Sequence, residues 1–300
     1  MKRSGKGAIL FLAPSLSGFM LFTLLPVAAA FGLSLCRWDL FHPPRFVGLD
    51  NFHKLLGWSV VGGHFLPHDP RFWKYLGNTL VFMLVIPFSM AGSLILALLL
   101  NRKLHCRALF RTIFFLPSVS FGIGLMLLWR YMYEPDIGLI NVFLRHIGIQ
   151  GPDWLGSYDW AKPAIMNMNL WATIGGTNMV LYLAGLQGIS PELYEAAEVD
   201  GAGTWRQFWS VTVPMLMPTT FFIFVTSIIF GFQGDFDSAY VMTQGGPDGA
   251  TTTLGYYVFS HAFQWFNMGY AAAASVILFL LTLVATIANW HFGGGRSHYV

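Results

Sequence analysis

Charge is scarce in this 300-residue chain. Asp, Glu, Lys and Arg make up 10% of it, while 55% is hydrophobic and 17% aromatic. Soluble domains carry about 25% charged residues. So much apolar surface cannot all fold inward, and a bilayer is the natural solvent for part of it. The net charge, +3, is small. It argues against a nucleic-acid footprint, which would need a clustered basic face. Cysteine is almost missing: Cys36 and Cys106 stand far apart, on the topology below near opposite membrane faces. That excludes a disulfide framework and any metal-ligand spacing. The phosphate cradle G-x-x-x-x-G-K-S/T is absent; SGKGAIL has the wrong spacing and precedes an apolar run. No Ser–His–Asp or Cys–His arrangement stands out, so neither an enzyme nor a cofactor is expected. His64, His68 and Asp69 lie close together. They read as a polar outer loop rather than a metal site.

What the chain has is long apolar runs. A crossing needs about 20 mostly apolar residues, and six runs qualify: 8–35, 78–100, 112–133, 164–186, 215–234 and 268–291. The first exceeds the core of a signal peptide and lacks a small-x-small cleavage site, so it reads as a retained span. Pro14, Pro26, Pro87, Pro117, Gly175 and Gly176 fall inside spans. They are tolerable where neighbouring helices satisfy the freed backbone groups. The domains are then 1–71, the first span and an outer loop; 72–291, the core; and 292–300, a tail.

Orientation follows from the basic residues. With the N-terminus inside, Lys2, Arg3, Lys6, Arg102, Lys103, Arg107, Arg111, Arg206 and Arg296 are cytoplasmic. Arg37, Arg45, Lys54, Arg71, Lys74, Arg130, Arg145 and Lys162 are outside, on longer segments. Basic density, and above all the cluster Arg102–Arg111, favours this choice, with both termini cytoplasmic. The outer segments are rich in Trp, Pro, Gly and His. They are too short for a separate domain and read as caps with interfacial anchors. Arg130 and Glu134 are expected to form a local pair one turn apart.

One stretch interrupts the oil: ISPELYEAAEVDGAGTWRQFWSVTVPMLMP, residues 189–218. Ser190 suits an N-cap and Pro191 the first helical position. Glu192 and Glu195 favour the positive end of the helix. Gly201 and Gly203 end it, and Thr204 to Gln207 has capping-box spacing for a second helix. The prediction is a cytoplasmic two-helix elbow, turning into the fifth span at Pro214. On chemistry alone two readings stand, an amphipathic interfacial helix or a docking surface. Interfacial anchors usually carry Lys and Arg; Glu192, Glu195, Glu198 and Asp200 make this one acidic, which suits a protein partner.

The elbow resembles the EAA motif of permease subunits of binding-protein-dependent ABC importers. Glu195, Ala196 and Ala197 are followed by three residues, Gly201, nine residues, then Val211, Thr212, Val213 and Pro214. The motif reads EAA, three, G, nine, I-x-L-P, so Val replaces both Ile and Leu. FVGLDNF at 46–52, and a T-x-GGP turn, Thr-rich step and GYAAA entry within 236–280, resemble the carbohydrate-uptake branch. The likeness covers essentially the whole chain. The resemblance implies an all-α, six-span type I importer permease of the cell inner membrane. Its coupling helix, between spans four and five, would dock into an ATPase subunit. It implies as partners a second homologous permease, two ATPase subunits that hydrolyse ATP, and an extracytoplasmic solute-binding protein delivering a sugar or oligosaccharide.

Polar residues at membrane depth are functional candidates. Span four offers Asn167, Asn169, Trp171, Thr173, Thr177 and Asn178; span five offers Gln233, Asp235 and Asp237 among Phe230, Phe232 and Phe236. Amides and carboxylates can bind sugar hydroxyls, and aromatic faces can stack on sugar rings. The same residues could equally make helix–helix hydrogen bonds, worth under about 1 kcal/mol each. In the family the substrate site lies on these two helices, which makes Trp171, Asn178, Phe232, Gln233 and Asp235 the first candidates. Glycerol-3-phosphate or another anion would want Lys or Arg inside a span, and only Arg130, near an outer end, comes close. An ion-coupled secondary transporter would need a buried charged ion site and inverted repeats; the chain offers neither.

Overall fold

The apolar runs become helices because a lipid-facing backbone must satisfy its own hydrogen bonds. The structure, a computed structural model, describes residues 5–102, 105–119 and 122–293. Among the described residues four helices are long and apolar enough to cross a membrane: Phe11–Ser34, Pro70–Asn101, Met217–Thr243 and Met268–His291. Arg107–Val119 and Ile123–Met132 meet at a 98° bend, the geometry of a broken span or a re-entrant loop. The run at 164–186 is not one helix. It is Tyr158–Ile174 and Thr177–Gln187, parted at Gly175–Gly176. The set is compatible with six crossings.

The breaks have local causes. Wide turns with i→i+5 bonds, Met20–Leu24 and Phe208–Thr212, stand just before Pro26 and Pro214. A helical proline removes a donor and crowds the carbonyl a turn earlier, and the helix widens there. At the span-four break, glycine is needed for space rather than for backbone freedom. A Cβ on Gly175 would stand 2.1 Å from the Phe114 carbonyl oxygen. Ser93 Oγ donates to the Ile174 carbonyl, 2.7 Å, and ties down the end of the first half.

The chain divides into two compact units, Met1–Trp73 with Tyr257–Leu280, and Lys74–Tyr256 with Leu281–Val300. In the first unit the segment after the first span is not wholly helical or irregular. Cys36–Arg37 pairs with Arg45–Phe46, and Trp58–Val61 pairs with His64–Pro67. Gly62 and Gly63, at φ +60° and +82°, make the second hairpin's turn, the left-handed pair that a two-residue hairpin favours. The buried Asn51 side chain donates to the Ser34 and Cys36 carbonyls, 2.9 Å each. Met268 N–H donates to Trp38, 2.9 Å.

Asp69 organises its surroundings. Its Oδ1 caps the helix Pro70–Met83 through the Arg71 and Phe72 amides, 3.0 and 3.1 Å. Its Oδ2 accepts from the Tyr257 and Tyr270 hydroxyls. His68 packs instead against His53, with ring centroids 4.9 Å apart. Among the described residues no three His, Cys, Asp or Glu side chains gather.

His261 packs its ring on Tyr257 and Tyr270, and its Nδ1 is buried without a hydrogen bond. Burial holds its pKa at about 4, below the usual 6.5; Asp69 pulls the other way and Arg71 adds to the depression. The folded state therefore resists protonation more than the unfolded chain. The contribution is fully present above pH 6.5 and is lost as pH falls from there toward about 4. Thermal midpoints measured against His261→Gln should show this. Any wild-type advantage is expected to shrink from about pH 7 to about pH 5, because the variant lacks the titrating ring.

In the second unit two apolar clusters form. Trp129, Tyr133, Ile165, Met168 and Met242 anchor one; Ala97, Met179, Tyr182, Leu186 and Leu216 anchor the other, nearer the elbow. The T-x-GGP turn closes on the second span. Asn78 Nδ2 donates to the Gly249 and Thr252 carbonyls, 2.9 and 2.8 Å, and Thr79 Oγ1 accepts from Leu254 N–H, 3.0 Å. The Thr-rich step folds back as well: Thr252 Oγ1 donates to Gly245 and Thr251 Oγ1 to Gly246, 3.0 and 2.9 Å. Arg130 donates to the Val241 carbonyl, 3.3 Å, where a pair with Glu134 was expected. Among the described residues no Arg130–Glu134 ion pair forms.

Candidate functional site

The acidic stretch folds as the helix Pro191–Val199, a Gly-containing bend, and the helix Thr204–Gln207 leading through Val213–Met215 into Met217–Ser238. Ser190 occupies the N-cap with extended backbone, but its hydroxyl makes no capping bond. The helix end is a Schellman turn. Ala202 N–H donates to Ala197, 2.8 Å, and Gly201 N–H to Glu198, 2.9 Å. Gly201 sits at φ +76°, the left-handed conformation such a turn needs after the C-cap. A Cβ there would meet nothing within 4 Å, so the demand is conformational. The expected capping box does not form. Gly203 takes the N-cap, and Gln207 Nε2 reaches back to the Ala202 carbonyl, 3.0 Å, bracing the bend from the other side.

One anchor was missed in the sequence. Tyr194 Oη and the buried Thr212 Oγ1 lie 2.9 Å apart. Tyr194 also packs on the cluster holding Leu186, Ile189 and Leu216. A movement of the first elbow helix would thus be passed to the fourth and fifth spans. The signal available was an aromatic residue on an otherwise acidic helix.

The opposite face is open. Glu192, Glu195, Glu198 and Asp200 are exposed, and among the described residues none forms an ion pair. Ala196 is exposed beside them, and Ala197 half-buried. Val199 is 88% and Trp205 73% exposed. Unpaired acids around bare apolar side chains make a surface suited to another protein. Pro214 is exposed at the entry to the fifth span.

The polar clusters on spans four and five divide. Asn167 Nδ2 donates to Tyr133 Oη, 3.1 Å, and Ser238 Oγ donates to Asn169 Oδ1, 3.4 Å. These two amides make helix–helix bonds. Trp171 meets Trp129 edge-on, with centroids 5.5 Å apart, yet keeps much of its ring exposed. Asn178 lies in the first turn of the helix after the Gly break and is half-buried; Gln233 is exposed. Phe232 is buried at 7% exposure and packs inside the chain. The Asp235 side chain lies outside the described residues. Phe236 stacks on Tyr240 at 5.6 Å, beside Tyr256. Among the candidates on these helices Trp171, Thr173, Thr177, Phe230, Gln233 and Asp237 are exposed.

Comparison with known proteins agrees with this arrangement. Residues 70–293 match the family described as binding-protein-dependent transport system inner membrane component. The chain is 36% identical to the lactose transport system permease protein LacF of Rhizobium radiobacter, over 96% of this chain and 94% of that protein. It is 32% identical to the sn-glycerol-3-phosphate transport system permease protein UgpA of Agrobacterium fabrum, over 97% and 95%. In fold it matches a chain of a bacterial ABC transporter involved in the import of the acidic polysaccharide alginate. The TM-score is 0.81, at 24% identity, over 97% of this chain and 96% of that one. An apolar helical chain with an acidic, Schellman-closed elbow thus belongs to the family of inner membrane components of binding-protein-dependent transport systems.

Proposed function

We propose that this permease moves a neutral sugar or oligosaccharide, with ATP hydrolysed on two separate ATPase subunits. A second homologous permease completes the pore, and an extracytoplasmic solute-binding protein delivers the substrate. Both termini are cytoplasmic. The observation that carries the reading is the elbow: an exposed, unpaired acidic surface tied through Tyr194–Thr212 to the spans behind it. Closure of the ATPase dimer pushes the elbow at Glu195, Ala196, Ala197 and Gly201. The push tips spans four and five, in the core 72–291, so that the path opens outward. Hydrolysis resets it inward.

Trp171, Asn178 and Gln233 line the path, Trp171 stacking on the sugar and the amides binding hydroxyls. Phe232 supports the wall from behind, and Asp235 is assigned to the same end of the fifth span. The relatives include a lactose permease and a glycerol-phosphate permease. Neutral sugar is favoured because Arg130, near an outer end of the third span, already donates to the Val241 carbonyl.

Uptake into proteoliposomes holding the full importer tests this. A labelled neutral disaccharide is expected to accumulate with ATP. Trp171→Ala is expected to reduce uptake by roughly tenfold while the ATPase still assembles, the loss of one buried stacking contact of about 1–2 kcal/mol. Accumulation of glycerol-3-phosphate in place of the disaccharide would replace neutral sugar with the anion.

A further inference from the structure

We propose that the third and fourth spans hold an anionic phospholipid at their elbow-side ends, its phosphate on Arg107 and Arg111. The two arginines stand one turn apart at the start of the helix Arg107–Val119. Both reach the end of the helix Thr177–Gln187, where the Gln187 side-chain oxygen accepts from Nη2 of each, 3.0 Å apiece, in the amide orientation its neighbours dictate. One neutral amide is a poor answer to two guanidiniums. The Nε atoms of both are buried and make no hydrogen bond. Among the described residues neither arginine forms an ion pair.

The charge count requires an anion. The C-terminus of Thr177–Gln187 contributes about half a negative charge, and the N-terminus of Arg107–Val119 cancels it with about half a positive one. Roughly two positive charges remain uncompensated. Water can solvate their exposed edges but not the buried Nε groups, and an unmet buried donor is destabilising. A phosphate offers several acceptor oxygens and a matching charge, the geometry guanidinium forks bind best.

The groove beside the arginines says which phosphate. It holds about 420 Å³ and runs from Arg111 and Gln187 along Phe115, Val180 and Leu183. Val180 to Gln187 spans about 10 Å at about 1.5 Å per residue. An acidic protein side chain or a free phosphate would fill only the arginine end. A phospholipid fills both, headgroup on the guanidiniums and acyl chain on the apolar wall.

The test uses the full-length chain in detergent, with native mass spectrometry and thermal unfolding. Dioleoyl phosphatidylglycerol is expected to be retained at least about tenfold over dioleoyl phosphatidylcholine and to raise the unfolding midpoint. Arg107→Gln with Arg111→Gln should remove the preference. Val180→Trp, which fills the groove and leaves both charges, should remove retention. Equal retention of the two lipids by wild type overturns the proposal, whatever the variants do. So does equal stabilisation by inorganic phosphate alone, which would make this a simple anion site. Loss of the retained lipid when the importer assembles, with Val180 then protected, would show a protein in the groove and would also overturn it.

Discussion

Gly201→Val is expected to uncouple the assembled importer: binding-protein-stimulated ATP hydrolysis and uptake fall together, while the chain still inserts. The Schellman turn places residue 201 at φ +76°. For an L-residue that conformation costs about 1–2 kcal/mol, and β-branching raises the cost. The chain can relieve it only by breaking the Ala202–Ala197 and Gly201–Glu198 bonds. The acidic helix then swings relative to Thr204–Gln207 and presents Glu195 and Ala196 out of register. Since coupling free energies of about 1–3 kcal/mol correspond to roughly 5–150-fold, a loss of at least about tenfold in stimulated hydrolysis is expected. Gly203→Ala is the control. Residue 203 has ordinary backbone, φ −67°, and a Cβ meets nothing within 4 Å, so activity should stay near wild type. Normal stimulation in Gly201→Val would mean that the elbow geometry does not carry the signal.

Gly269→Val acts on folding. A Cβ at residue 269 would lie 1.8 Å from the Cys36 carbonyl oxygen and 2.9 Å from its carbon, both backbone atoms. That backbone cannot yield cheaply. Asn51 holds the same carbonyl, and the adjacent Met268 amide is bonded to Trp38. Overpacking of this kind costs about 1–3 kcal/mol and more where the obstacle is rigid; here the start of the last span must part from the segment around Cys36 and Trp38. The expected result is little full-length chain in membranes and rapid proteolysis between residues 36 and 70. Gly32→Ala, with nothing within 4 Å of its Cβ, should be stable, since Ala is favoured over Gly in helices by about 1 kcal/mol. Wild-type levels of Gly269→Val would show that the two segments do not touch as described.

Much of the molecule was legible where local chemistry decides. The elbow could be read from Ser190–Pro191 and Gly201, because a proline start and a left-handed stop act within one helix. The finer capping could not. Ser190 leaves its hydroxyl unused, and Gly203 displaces Thr204 at the second cap, because Gln207 finds the Ala202 carbonyl first. Gly175–Gly176 announced a bend or a close approach; the carbonyl that requires it, Phe114, belongs to another span. The small hairpin at Gly62–Gly63 had its signal in the dipeptide, but four-residue strands are lost inside an all-α reading. Asp69 was legible as polar and no more. Its partners, Tyr257 and Tyr270, are 188 and 201 residues away, and only the fold brings them to one carboxylate. Phe232 was read as part of a polar cluster because of its neighbours; helical phase turns it inward while Gln233 stays exposed.

The most direct measurement is photocross-linking from residue 199. Val199, 88% exposed in the middle of the acidic surface, is replaced by p-benzoylphenylalanine in cells expressing the whole importer. Val60, exposed in the hairpin Trp58–Pro67, carries the probe in a parallel sample. The account predicts an adduct with the ATPase subunit from position 199 and none from position 60. An adduct with lipid alone from position 199, or an ATPase adduct from position 60, would contradict it.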